Sequence, residues 1–379
     1  MKFVIAPDSY KETLTAKEAA GVMTAAVNDT FPGAEAVSLP VADGGEGTAE
    51  CLAAACGGET VAANVTFPDG SEGRAFFAVL PDGTAVVDAA SAAGIGLTRG
   101  RVLPDRATTF GVGRLIAAAA ARCTGNLLVG LGGSGTHDFG CGCAAALGVR
   151  FTDKTGKDFV PTGATLTDVS HVDISDAALP RDLKLTLLCD VDNPPYGDNG
   201  AAFVFAPQKG ADGITCRMLD EGTRHMCKVI KSDLGTDVSD LKGGGAAGAL
   251  AAGLHAFFGA GIKRGIDAVL DACGFDGALS GADLVFTGEG KTDAQTLSGK
   301  AVAGVAARAK AANVRVAVVA GYFEDAGDLS DRLKELGVWR VYSVTDGRKD
   351  IEALKKTAAR DLYLRMKEIL LGLKAENEI

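Results

Sequence analysis

The chain opens on a short apolar run, Lys2-Phe3-Val4-Ile5-Ala6, followed at once by the polar loop Pro7-Asp8-Ser9-Tyr10-Lys11-Glu12. A run this brief, apolar at successive positions, predicts a strand covered on both faces. Thr15-Ala16-Lys17-Glu18 has capping-box spacing and predicts a helix that ends before Pro32-Gly33. A second strand is expected over 34–39. The loop Asp43-Gly44-Gly45-Glu46-Gly47 and an Ala-rich helix closing at Gly57-Gly58 come next. Strand, loop and helix, twice in succession, is how an open α/β sheet begins.

The pattern then changes. Strands are predicted over 61–67, 73–80 and 84–88, separated by Pro68-Asp69-Gly70-Ser71 and Pro81-Asp82-Gly83. Both separators have turn chemistry, so this stretch reads as an antiparallel meander. From 89 to 280, glycine-rich loops and Ala-rich helices surround isolated strands, among them 185–189 and 201–205. Alternation resumes with strands over 284–287, 314–320 and 339–344, and helices over 300–310, 329–336 and 350–373. The fold class expected is therefore α/β with two domains. A doubly wound, mostly parallel sheet of Rossmann or flavodoxin type uses both chain ends, 1–60 and 281–379. A mixed α/β domain, 61–280, is inserted between them.

Composition narrows the function. At 379 residues the chain has room for two or three domains, and 47% hydrophobic with 23% charged residues excludes disorder. A net charge of −10 without a dense basic run argues against nucleic acid. Nine cysteines without any C-x-x-C fit reduced thiols and a cytoplasmic location. The uncharged stretch Gly245–Ile262 carries five glycines and His255, which predicts a buried helix and no membrane span.

Loops leaving the carboxyl ends of parallel strands are where open α/β sheets bind ligands. Asp8-Ser9-Tyr10-Lys11 places a carboxylate, a hydroxyl and a cation ahead of a helix N-terminus, which attracts anions; a solvated turn would use the same residues as backbone caps. Asp43-Gly44-Gly45-Glu46-Gly47 crowds two carboxylates among three glycines, either for a ligand or for a tight left-handed turn. Gly130 to Asp138 (GLGGSGTHD) offers an anion nest but lacks a P-loop lysine. His137, Cys141 and Cys143 lack a clear fourth zinc ligand. Asp190 and Asp192, at i and i+2 ahead of Asn193-Pro194-Pro195, could hold Mg²⁺ or accept a hydroxyl proton, or could be solvated acids on a proline turn. Gly243 to Gly248 matches G-x-G-x-x-G, but the polar segment 233–242 precedes it where a strand is required. Gly288-Glu289-Gly290-Lys291-Thr292 ends like a Walker A motif, yet position 285 is Val285. Glu289, Lys291, Asp293 and Gln295 nonetheless remain candidates for metal, phosphate or inter-domain contacts.

Seven segments, taken together, resemble the bacterial glycerate kinase family, whose members phosphorylate D-glycerate with ATP. They are APDSYKETLTA (6–16), PVADGGEGT (40–48), GLGGSGTHDFG (130–140), CDVDNPPYGDNGA (189–201), FAPQKGA (205–211), GGGAAGALAAGL (243–254) and TGEGKTDAQTLSGK (287–300). The resemblance implies a two-domain α/β fold with the active site in the cleft, and 2-phosphoglycerate more often than 3-phosphoglycerate as product. Two departures stand out. His137 and Phe139 interrupt the family's usual GGSATNDGG, and Lys291 replaces its usual arginine, keeping the charge without the bidentate geometry.

Phosphoryl transfer needs phosphate positioning, Mg²⁺, cations that offset charge, and a carboxylate that accepts the hydroxyl proton. ATP and Mg²⁺ are the cofactors expected. Asp190 and Asp192 are the expected base and metal ligands, with Lys11 and Lys291 offsetting charge. Asp8, Ser9, Asp43, Gly44, Gly45 and Glu46 are assigned to the substrate. Gly132, Gly133, Ser134, Gly288, Glu289, Gly290, Asp293 and Gln295 are assigned to the nucleotide and its phosphates. The partners are small molecules, with no nucleic acid and no membrane. A non-catalytic sensor of glycerate or nucleotide is the alternative on the same fold.

Overall fold

The computed structural model describes every residue except Lys11, Arg181, Gly299, Asp325, Ala326, Asp346, 348–350, Asn377 and Ile379, with Gln295 and Ser298 described by backbone alone. It divides into two units. The first comprises Met1–Asp43, Cys51–Gly57 and Ile266–Ile379; the second comprises Gly44–Glu50 and Gly58–Gly265. The sequence reading places the divisions at 60/61 and 280/281.

In the first unit, five strands form one sheet in the order Val338–Ser343, Arg315–Ala320, Leu284–Thr287, Lys2–Ile5, Glu35–Ser38. Every neighbouring pair is parallel, with Phe3 opposite both Leu284 and Ala36. The central strands are buried throughout from Phe3 to Ile5 and from Leu284 to Thr287, which is why they read as unbroken apolar runs. Thr15 caps the helix Ala16–Thr30 by accepting the Glu18 N–H, while the Glu18 carboxylate accepts the Thr15 N–H. That helix buries Ala19, Met23 and Val27, at i, i+4 and i+8, in one core with Leu362, Met366 and Leu373 of the terminal helix Ile351–Ala375.

The second unit holds a six-stranded sheet in the order Gly261–Lys263, Lys184–Leu188, Asn126–Gly130, Ala85–Asp88, Glu72–Val79, Glu59–Thr66. The first four strands are parallel and the last two close an antiparallel meander. One expectation fails. Residues 201–205, expected as a strand, form the helix Ala201–Phe205. Ala202 and Ala206 share a buried cluster with Cys216 and Leu219, while Phe203 and Val204 point outward at 38% and 43% exposure. A five-residue apolar run does not by itself separate the two periodicities; tertiary packing chose the helix.

The uncharged stretch becomes the helix Ala246–Phe258, with left-handed backbone at Ala247, Gly248 and Ala249. A Cβ at Gly248 would lie 2.2 Å from the Thr136 carbonyl oxygen and 2.6 Å from the His137 Cα. Glycine there admits another stretch of backbone, which accounts for the fingerprint-like spacing without a dinucleotide. Among the described residues no helix is long and apolar enough to cross a membrane.

Candidate functional site

In the first unit a cavity of about 440 Å³ is lined by Asp8, Ser9, Asp43, Glu289, Gly290, Lys291 and Asp293, all of which the sequence reading assigns to ligand binding. The Asp8 N–H donates to the Gly288 carbonyl at 2.8 Å, tying the loop after the first strand to the loop after Leu284–Thr287. Tyr10 closes the same join, its hydroxyl donating to the Val319 carbonyl at 2.5 Å. Burial, then the Glu289 and Asp8 charges, push the Tyr10 pKa up, so it stays a donor. A Cβ at Gly288 would lie 2.1 Å from the Val319 oxygen and 2.6 Å from the Tyr10 hydroxyl. Only glycine fits.

Glu289 is buried and accepts hydroxyl hydrogen bonds from Thr296 at 2.5 Å and Thr292 at 3.2 Å. Burial raises its pKa despite those bonds. Lys291 is ion-paired with Glu324 at 2.6 Å and Asp293 at 3.3 Å, and remains half exposed. Lys300 lines the same cavity. Lys11 lies outside the described residues, and so does the side chain of Gln295, whose backbone belongs to the turn of 3₁₀ helix Ala294–Ser298.

In the second unit the organising group is Asp88, which sequence reading missed. It ends the strand Ala85–Asp88 and accepts the N–H groups of Gly47 at 3.0 Å and Ala49 at 3.1 Å, pinning the glycine loop. Burial pushes its pKa up to about 7; the amide hydrogen bonds oppose that shift, and Glu46 and Glu50 add to it. The only local signal was an acid at the end of an apolar strand.

Backbone contact explains the glycines of both loops. Gly44 adopts φ +85°, and a Cβ on it would lie 2.9 Å from the Leu188 Cβ and 3.0 Å from the Gly265 Cα. A Cβ on Gly132 would lie 2.7 Å from the Gly45 Cα, and one on Gly133 would lie 3.8 Å from a Glu46 carboxylate oxygen. Asp190 joins this neighbourhood because its Oδ1 accepts the Gly265 N–H at 2.8 Å. Gly44, Gly45, Glu46, Gly132, Gly133 and Asp190 are thus brought together. Asp192 is exposed, whereas Asp190 is half-buried, so the two carboxylates do not share one environment.

Among the described residues no group of three or more His, Cys, Asp or Glu side chains could hold a metal. Two carboxylates suit an ion that keeps waters and arrives with phosphate oxygens, the way Mg²⁺ is usually held beside nucleotides. Asp190 and Asp192 each offer that oxygen chemistry, one from a half-buried and one from an exposed position. Zinc does not fit: burial pushes the Cys141 and Cys143 pKa values well up, and the His137 Nε2 is hydrogen-bonded to the Thr223 hydroxyl at 3.0 Å. His137 and Phe139 are both buried, so the departures from the family pattern are interior packing. Asp138, also buried, accepts the Thr109 N–H at 2.7 Å and its hydroxyl at 2.8 Å, together with the Gly140 N–H at 3.0 Å.

Lys209 was quoted in a segment but given no role. It is buried, and its ammonium donates to the Ser134 hydroxyl at 3.0 Å and the Thr136 carbonyl at 2.8 Å, bracing the glycine loop from inside.

Residues 3–374 match the model of the glycerate kinase family. A glycerate kinase of Bacillus subtilis (strain 168) is 40% identical over 378 residues, covering 99% of this chain and 98% of that one. A glycerate 2-kinase of Escherichia coli (strain K12) is 42% identical over 329 residues, 86% of each chain. A solved structure described as glycerate kinase 2 from Salmonella typhimurium LT2 superposes with a TM-score of 0.90 at 37% identity, covering 100% of both chains. The chain belongs to the glycerate kinase family.

Proposed function

We propose that the protein transfers the terminal phosphoryl group of ATP, with Mg²⁺, to D-glycerate in the cytoplasm, yielding 2-phosphoglycerate in preference to 3-phosphoglycerate. The observation that carries this reading is the family match across residues 3–374. The chemistry of the loops supports it. Asp190 or Asp192 accepts the glycerate hydroxyl proton as attack begins, a role worth about 10²–10⁴ in rate. The other carboxylate would hold Mg²⁺ together with waters and phosphate oxygens, and the ion when bound would offset phosphate charge. Asp8, Ser9, Asp43 and Glu46 orient the hydroxyl groups of glycerate, with Gly44 and Gly45 shaping the loop that carries Glu46. The N–H groups of Gly132, Gly133 and Ser134 receive phosphate oxygens. Gly288, Glu289, Gly290, Asp293 and Gln295 contact the nucleotide. Lys11 and Lys291 offset charge.

The test is turnover of purified protein with ATP and D-glycerate, following ADP release and identifying the product by NMR. ADP with 2-phosphoglycerate is expected. ADP release only with another hydroxy acid would move the substrate, and glycerate binding in calorimetry without turnover over hours would favour the sensor.

A further inference from the structure

The second unit contains a cavity of about 460 Å³ bordered by Ile95, Arg99, Arg101, Leu103, Gln208 and Lys209, with no acidic side chain among the described residues of its wall. Its volume falls in the range of small-molecule sites. Arg99 and Arg101 are exposed; among the described residues neither forms an ion pair, although the Arg101 charge helps to lower the Asp69 pKa. Lys209 is 7% exposed, yet both oxygens it bonds are neutral, the Ser134 hydroxyl and the Thr136 carbonyl. The nearby Asp138 carboxylate is already held by Thr109, Gly140 and Gly142. A buried ammonium without a directly bonded counter-charge is costly to maintain. Charge-assisted bonds from an anion remove that cost, and two arginine forks at the mouth match the geometry of phosphate oxygens.

We propose that this cavity binds the phosphate groups of a small phosphorylated ligand, clamped by Arg99 and Arg101 and neutralised from within by Lys209. The kinase reading enters only in naming the ligand. A nucleoside triphosphate would place its phosphate chain here, next to Ser134; a phosphomonoester product would place its single phosphate here. Both share one chemistry.

The experiment is calorimetric titration of the full chain and of an Arg99→Ala/Arg101→Ala double variant, using inorganic tripolyphosphate, ATP and 2-phosphoglycerate. Lys209→Met serves as a second variant, with circular dichroism to confirm folding. The double variant lies on exposed side chains and keeps the core. Tripolyphosphate and ATP should each bind at least about tenfold more weakly to it, as expected on losing charge-assisted bonds. Weakening of 2-phosphoglycerate with ATP untouched would also support the site and identify the phosphomonoester as its source. Unchanged affinity for all three probes in both variants, or no binding to the wild-type protein, overturns it. The two readings fail separately. If the site is wrong, ADP release with glycerate persists in the double variant; if the kinase reading is wrong, the tripolyphosphate difference remains.

Discussion

The two cavities are nearly equal in volume and opposite in charge. The one in the first unit is walled by six acidic side chains, Asp8, Glu12, Asp43, Glu289, Asp293 and Asp361, against two lysines. Among its described residues, the one in the second unit has two arginines and a buried lysine and no acid. In a chain of net charge −10, such segregation is a statement about ligands. An acid-rich wall accepts hydroxyl protons and attracts cations, and it repels a phosphate unless other charges intervene. A basic wall does the reverse. Glycine does a third job in both units, letting a loop approach the strand backbone of Val319 at Gly288 and the loop backbone of Gly45 at Gly132.

The largest effect is expected at Asp190, which lines neither cavity. Asp190→Asn should lower kcat by at least about a hundredfold, the size of effect a positioned base supplies. The amide oxygen still accepts the Gly265 N–H, so circular dichroism and Tm should stay close to wild type. Asp192→Asn is the paired test. Near-wild-type kcat in both, with activity abolished by Asp8→Asn or Asp43→Asn, would move the chemistry to the acidic cavity of the first unit and break the division of labour drawn above.

A second prediction sharpens the basic side. Burial pushes the Lys209 pKa down to about 7, while Asp138 acts in the opposite direction; burial also keeps His137 neutral. Lys209 titrates near 10.5 when unfolded, so the unfolded chain binds more protons between about pH 7 and 10.5. Stability from this group is therefore gained as pH rises through that window and lost as pH falls back through it, with no further change below about 7. An anion favours the charged form, so tripolyphosphate affinity should decline above about pH 7, by up to about tenfold per pH unit. Titrations at several pH values check this, with Lys209→Met as the flat reference. Equal slopes in the two proteins would separate Lys209 from the anion.

The parallel sheet of the first unit was legible because each strand is a short apolar run ended by a polar loop, and that local pattern survives folding unchanged. Residues 201–205 were not, since a five-residue apolar run fits either period and its neighbours at Cys216 and Leu219 decided. Loop membership in the sites was legible from glycine and acid content. Individual roles were not. Asp192 has the same spacing signal as Asp190 but is exposed, whereas the half-buried Asp190 is anchored by the Gly265 N–H. Asp88 lies in no motif, and Lys209 lies in FAPQKGA without a local sign of its role; each matters through partners 41 and 75 residues away in the chain.

Asp88 gives a third test. Its pKa of about 7 lies above the ordinary 3.8, so between about pH 4 and 7 the folded state binds more protons than the unfolded. Stability from this group is full below about pH 4 and falls as pH rises to 7, by at most about 1.4 kcal/mol per pH unit. Asp88→Asn should remove that slope while keeping one loop N–H bonded. Urea midpoints for the two proteins across pH 4.5–7.5 should converge at the acid end and separate at neutral pH in favour of the variant. Parallel curves would mean that Asp88 titrates as an ordinary carboxylate.

The smallest effect is expected at Lys291, although its loop resembles a phosphate-binding motif. Its ammonium sits between Glu324 and Asp293, and these contacts raise its pKa. An exposed pair of this kind contributes little and is screened by salt. Lys291→Ala should therefore leave Tm nearly unchanged. A cation that contributes equally to ground-state and transition-state binding changes KM and not kcat. Lys291→Ala should accordingly raise the KM for ATP or glycerate by only a few-fold and leave kcat within a factor of about two. A kcat loss of a hundredfold or more would require the ammonium to leave Glu324 and Asp293 and meet the transferring phosphoryl group. The acidic cavity would then supply catalytic charge as well as hydroxyl recognition.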